Sequence, residues 1–169
     1  MKSISLVIVS AVLAACTSAP MKEGFAPCNQ QGRTRQCVTV PLALAEEDVA
    51  AKRFEALPDK VRIYLVRPFT VEPIKRSQVF VDQQLVAEMA PLTYVVIDVD
   101  PGLHHIGVRT DVDAAISLRT DAGKLYYVQY SLSQLFGNYS GQLKTMDEAP
   151  GRSALLKSKR ALTRIDSPM

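Results

Sequence analysis

Residues 79–109 read VFVDQQLVAEMAPLTYVVIDVDPGLHHIGVR. Apolar and polar positions alternate through most of this stretch, the period of strands that bury one face. The alternation stops twice. At Asp82-Gln83-Gln84 the chain divides "SQVFVDQQLVAEM" into two short strands. At Asp100-Pro101-Gly102 a turn signal separates "TYVVIDV" from "LHHIGVR". Working outward, "VRIYLVR" places Val61, Ile63 and Leu65 on one strand face. Downstream, "AAISLR" and "LYYVQYSL" flank a turn at 120–124, and "GQLKTM" adds a last strand. Short strands at regular spacing, divided by turn residues, predict a mainly β fold. The expected architecture is an antiparallel β-sandwich over residues 57–148 with short flanking helices.

Both flanks carry helical periodicity. In "LALAEEDVAAKRFEALP", Glu46, Glu47 and Asp48 occupy a first turn, where acid suits the helix dipole. Val49, Ala50, Phe54 and Leu57 make an apolar stripe, and Pro58 is expected to end the helix. Residues 149–169 read as a basic helical tail bearing Arg152, Lys157, Lys159, Arg160 and Arg164. A solvated helix face accounts for these charges, and contact with anionic headgroups or wall polymer is the sharper alternative.

The first fifteen residues, MKSISLVIVSAVLAA, form a signal peptide: Lys2, then an apolar core too short to span a bilayer. Leu13-Ala14-Ala15-Cys16 resembles the lipobox of bacterial lipoproteins. That resemblance implies diacylglycerol on the Cys16 sulfur, cleavage before it, and acylation of the new amine. Two or more acyl chains anchor firmly where one binds only marginally. Thr17, in place of an inner-membrane aspartate signal, resembles the outer-membrane class, with the domain facing the periplasm. Residues 16–56 are then a lipid-anchored tether containing the short helix. In an exported chain Cys28 and Cys37 pair as a disulfide by proximity and even count. A metal or redox pair is the alternative reading.

The 169 residues suit one domain, and the formal net charge of +3 gives no electrostatic footprint for nucleic acid. No cofactor is implied. His104 and His105, the two histidines, point to opposite strand faces and do not clasp one metal. Asp98 and Asp100 border a turn and read as solvated carboxylates. Nothing resembles the G-x-S-x-G nucleophile elbow, so the chain is not read as an enzyme. Tyr126 and Tyr130 share one face of their strand and Tyr127 takes the other. With Phe136 and Tyr139 in "SLSQLFGNYSGQL", read as the connection after that strand, Tyr127 forms the candidate binding surface.

The strand-and-turn pattern resembles an uncharacterised family of small bacterial lipoproteins that carry a domain of unknown function. Tyr64, Arg67, Asp82, Tyr94, Pro101, Gly102, His104, Gly123, Lys124 and Tyr126 occupy matching positions over about residues 57–132. The middle also looks like a PEGA-type β-sandwich module. The resemblance implies a fold and no catalytic residues. Gln83 stands where the family has glycine, which predicts a wider hairpin there. The reading is therefore a lipid-anchored envelope protein that binds or scaffolds, its partners the membrane and an envelope protein or peptidoglycan. A carbohydrate- or peptidoglycan-binding module is the alternative, and an envelope hydrolase the third.

Overall fold

A computed structural model describes residues 24–25, 38–68 and 75–164 of the chain. Cys16, Cys28 and Cys37 lie outside the described residues, as do residues 1–15, read above as a signal peptide. The chain runs β1 (Gly24–Phe25), β2 (Thr39–Val40), α1 (Ala45–Ala51), β3 (Val61–Arg67), β4 (Ser77–Val81), β5 (Gln84–Met89) and β6 (Thr93–Val99). It continues with β7 (Gly102–Arg109), β8 (Asp113–Thr120), β9 (Leu125–Leu135), β10 (Asn138–Met146), α2 (Glu148–Leu156) and β11 (Lys159–Arg160). β1 and β2 form a small antiparallel pair.

The sandwich has a five-stranded sheet, ordered β10-β9-β3-β6-β11, and a four-stranded sheet, ordered β5-β4-β7-β8. Val61, Ile63 and Leu65 of β3, Val95 and Ile97 of β6, and Val128 and Tyr130 of β9 bury against Val79, Val86, Ile106 and Val108 of the facing sheet. The turn at Asp100-Pro101-Gly102 is a corner that carries the chain between sheets, not a hairpin. The four-stranded sheet is antiparallel throughout. The five-stranded one is mixed, because β3 lies parallel to β9 and β6 parallel to β11. Alternation records which face is buried but not which way a neighbour runs, so this direction was invisible in the strand pattern.

β3 and β6 are buried on both faces. Their second faces, Tyr64, Val66, Tyr94 and Val96, meet α1 and α2 through Ala51 and Leu155. The helices therefore make a third layer. The α1 helix ends at Ala51, well before Pro58, and Phe54 turns the chain with a left-handed φ of 56°. Its buried face is Asp48 and Ala51, while Val49 is 60 % exposed. Of the expected apolar stripe, Val49 and Ala50 face outward, while Phe54, beyond the helix end, packs against Tyr64 and Tyr127. The expected helix over 149–169 is α2 alone. Pro150 is accommodated in its first turn, where an N–H has no intrahelical acceptor. Lys159 and Arg160 lie in a strand, and Ala161 and Thr163 make bridges to Leu42 and Ala87.

Two hairpins use left-handed residues without the usual glycine pair. Asp82 and Gln83, at φ 49° and 71°, close β4 onto β5 between Val81 and Gln84. This is a two-residue turn, tighter than the wide hairpin that Gln83 predicts, and its backbone cost is about 1–2 kcal/mol per residue. The compensation comes from Asp82, described below. The segment read as a connection, "SLSQLFGNYSGQL", is mostly strand: β9 and β10 pair from Tyr127–Met146 to Leu135–Asn138. Tyr130, Leu132, Tyr139 and Leu143 turn inward between polar neighbours. Only Phe136 and Gly137, at φ 49° and 83°, are left as the turn.

Candidate functional site

The matched motif residues converge on structure. Asp82 Oδ1 accepts the His105 backbone N–H at 2.8 Å, and Oδ2 lies 2.7 Å from His104 Nδ1. The Asp82 N–H in turn donates to the His105 carbonyl at 2.9 Å. His104 Nε2 sits 2.7 Å from the Asp100 carbonyl. Both ring nitrogens therefore face acceptors, which only the imidazolium can satisfy fully by donating twice. His104 latches the β4–β5 turn to the Asp100-Pro101-Gly102 corner. Burial alone would lower its pKa, but the hydrogen bonds to Asp82 and Asp100 outweigh it and leave the pKa raised. The Asp82 carboxyl is held low by the His105 N–H first and by His104 second.

The latch predicts a pH dependence. A raised His104 contributes fully below its unfolded value of about 6.5, and the contribution is lost as pH rises through the higher folded value. A lowered Asp82 contributes above about pH 4 and is lost as pH falls through its folded value. Melting temperature should therefore decline from pH 6 toward pH 9, and His104→Gln should flatten that decline. Equal slopes in both proteins would refute the latch.

The helix side holds the aromatic residues. Tyr127 is 4 % exposed and stacks on Tyr64 with ring centres 5.5 Å apart. It is core beneath α2, and this corrects its expected place on a binding surface. The Tyr64 hydroxyl donates to the Ala51 carbonyl at 2.7 Å. The Tyr94 hydroxyl donates to Asp48 Oδ1 at 2.8 Å, and the same oxygen accepts the Arg160 N–H at 3.0 Å. Lys52 Nζ donates to Asp48 Oδ2 and to the Ser158 carbonyl, both at 2.8 Å. Burial pushes the Asp48 carboxyl up, but Lys52, Tyr94 and the Arg160 amide bring it below its ordinary value. The Tyr94 hydroxyl is raised, by burial first and Asp48 second. The sequence placed Asp48 as a first-turn acid suited to the helix dipole. Nothing local marks it as the pin between α1 and the sheet, since its partners on the sheet are 46 and 112 residues away.

The remaining carboxylates near the turn are paired. Asp98 takes Arg62 Nε and Nη2, each at 2.8 Å, and Asp100 takes Lys60 Nζ at 2.7 Å. No group of three or more His, Cys, Asp or Glu able to hold a metal ion occurs among the described residues.

Two open surfaces among the described residues bear on binding. At the β9–β10 tip Phe136 is 94 % exposed. Tyr139, its expected companion, instead packs on the sandwich core, with Lys75 Nζ 5.1 Å from its ring centre. From Leu125 to Leu143 the chain carries no Asp, Glu, Lys or Arg, so the tip is an uncharged rod ending in an aromatic ring. The second opening is a hollow of about 450 Å³ on the outer face of the four-stranded sheet, over Gly107.

Comparisons with known proteins agree with a fold whose chemistry is unassigned. An uncharacterised protein of Haemophilus influenzae is 27 % identical over 133 residues, covering 75 % of this chain and 77 % of that one. No solved structure matches. Residues 58–141, from the approach to β3 into β10, are similar to the family model described as "Protein of unknown function (DUF2846)", a stretch that covers most of the sandwich.

Proposed function

We propose that this is a lipid-anchored protein of the bacterial envelope, held through Cys16, whose sandwich binds or scaffolds a partner without catalysis. The single observation that supports the binding reading is Phe136. A bulky residue is costly at a left-handed turn position, and Asn-Gly is the usual choice for a two-residue turn. Here Phe-Gly stands instead, with the ring 94 % exposed and at φ 49°. The folded domain gains nothing from it. A rigid exposed aromatic offers contact area at low entropy cost, and fully desolvated aromatics dominate binding energy at interfaces. The lipobox at Leu13-Ala14-Ala15-Cys16 supports the anchor.

Phe136→Asn tests this reading. The variant should melt at the same or a slightly higher temperature, gaining about 0.5–1 kcal/mol from the easier turn. Capture of envelope material by the purified protein should fall sharply. A large loss of stability would make the ring structural, and undiminished capture would remove it from the interface. Labelling with palmitate tests the anchor: Cys16→Ser should abolish it, and label retained on the variant would contradict it.

A further inference from the structure

The hollow over Gly107 is a second opening, remote in sequence from the hairpin tip. Along one cross-strand row the sheet presents Phe80, Gly107 and Ala115. Gly107 has no side chain and Ala115 only a methyl, so the floor is bare backbone and one small apolar group. The fold does not require a glycine there. Its φ is not left-handed, and a Cβ built on it meets only Phe80 Cβ at 3.8 Å and the Ala114 carbonyl at 4.0 Å, ordinary contacts. A glycine inside a strand weakens the strand, and one the packing does not need marks a close approach of something else.

Polar groups with unspent hydrogen-bonding capacity ring this floor. Arg109 lies 5.0 Å over the Phe80 ring centre and donates from Nε to Asp113 at 3.2 Å. Its side chain is 58 % exposed, and its terminal amines have no acceptor among the described residues. His105 Nδ1 contacts Ser117 Oγ at 2.9 Å, which leaves Nε2 open to the hollow it lines. Gln83 lines the same rim.

We propose that this hollow binds an acidic sugar: a pyranose whose apolar face lies on Gly107 and Ala115 against Phe80, and whose carboxylate pairs with the terminal amines of Arg109. The planar guanidinium fork matches a carboxylate bidentately. Asp113 on Nε offsets part of the Arg109 charge, so the site suits a monoanion better than a phosphate dianion. His105 Nε2 and the Gln83 amide are placed for ring hydroxyls. An apolar floor with a few convergent polar groups is the usual make-up of a small-ligand site.

Ligand-observed saturation-transfer NMR on the full-length lipidated protein in nanodiscs tests this, with glucuronate, N-acetylmuramate, glucose and acetate as probes. Both acidic sugars should bind, with glucose and acetate at least about tenfold weaker. Gly107→Val, which fills the floor, and Arg109→Gln should each weaken the acidic sugars by about tenfold or more, with melting unchanged. Phe136→Asn should leave this binding intact, which separates the site from the hairpin reading. Acetate binding as well as glucuronate would make it a bare anion site and overturn the proposal. So would glucose binding equally, or unchanged binding in either hollow variant. Absence of any saturation at roughly tens of millimolar would also refute it. Should Gly107→Val unfold, Gly107→Ala and Arg109→Gln carry the same test.

Discussion

Asp48→Ala is expected to lower the unfolding free energy by about 3 kcal/mol, the low end of what breaking a buried ion pair costs. One carboxylate accepts from Tyr94, from the Arg160 amide and from Lys52, and the residue is 8 % exposed. Removing it takes the acceptor of the part-buried Arg160 N–H and leaves the buried Tyr94 hydroxyl only the longer contact to the Asp48 carbonyl at 3.3 Å, and the desolvation penalty of such groups exceeds the worth of the bonds themselves. Lys52 keeps the Ser158 carbonyl, which limits the loss. Asp48→Asn retains an acceptor and should lose about half as much. Because the folded carboxyl is lowered, its contribution is present above about pH 4 and fades as pH falls through the folded value. Chemical denaturation of both variants measures this. A loss under about 1 kcal/mol in Asp48→Ala would reduce Asp48 to the helix-dipole role that its first-turn position suggests.

Gly151→Ala should destabilise by about 2–3 kcal/mol, although helix propensity alone predicts a gain of about 1 kcal/mol. Gly151 is buried in α2, and a Cβ there would stand 2.6 Å from Tyr127 Cγ and 2.8 Å from Tyr127 Cβ. Those atoms belong to the root of the side chain, and the ring is stacked on Tyr64 with Phe54 6.4 Å away. Neither partner can swing aside, so helix and sheet must separate. The opposite signs make the experiment decisive. A raised melting temperature would mean that α2 does not seat on Tyr127, and the helical layer would have to be redrawn.

The strands were legible because alternation is a local signal. Val61, Ile63 and Leu65 do face the inner core, and the turn residues at 100–102 and 120–124 do end strands. What local pattern could not carry was partnership across distance. It did not show that β9 returns parallel to β3, that Lys159 and Arg160 leave the tail helix for the edge of β6, or that Asp48 is buried. It also undervalued compensation at turns. Gln83 adopts φ 71° because Asp82 is tied to His104 and His105 on the neighbouring strand, a network set by residues more than twenty positions on. The candidate site divided similarly. Phe136 is exposed, while Tyr127 is covered by α2 on the helix side and Tyr139 faces the inner core from the edge strand β10. The hollow over Gly107 had no signal beyond one glycine in "LHHIGVR", and its meaning appears only when Phe80 and Ala115 are placed beside it.

The reading of Phe136 as the contact point is tested most directly by a photo-crosslinking amino acid incorporated at 136 in intact cells. Val49, 60 % exposed on α1, serves as the comparison position. Irradiation should give a discrete adduct from position 136 and none from position 49. No adduct at 136, or the same adducts from both positions, would contradict the account.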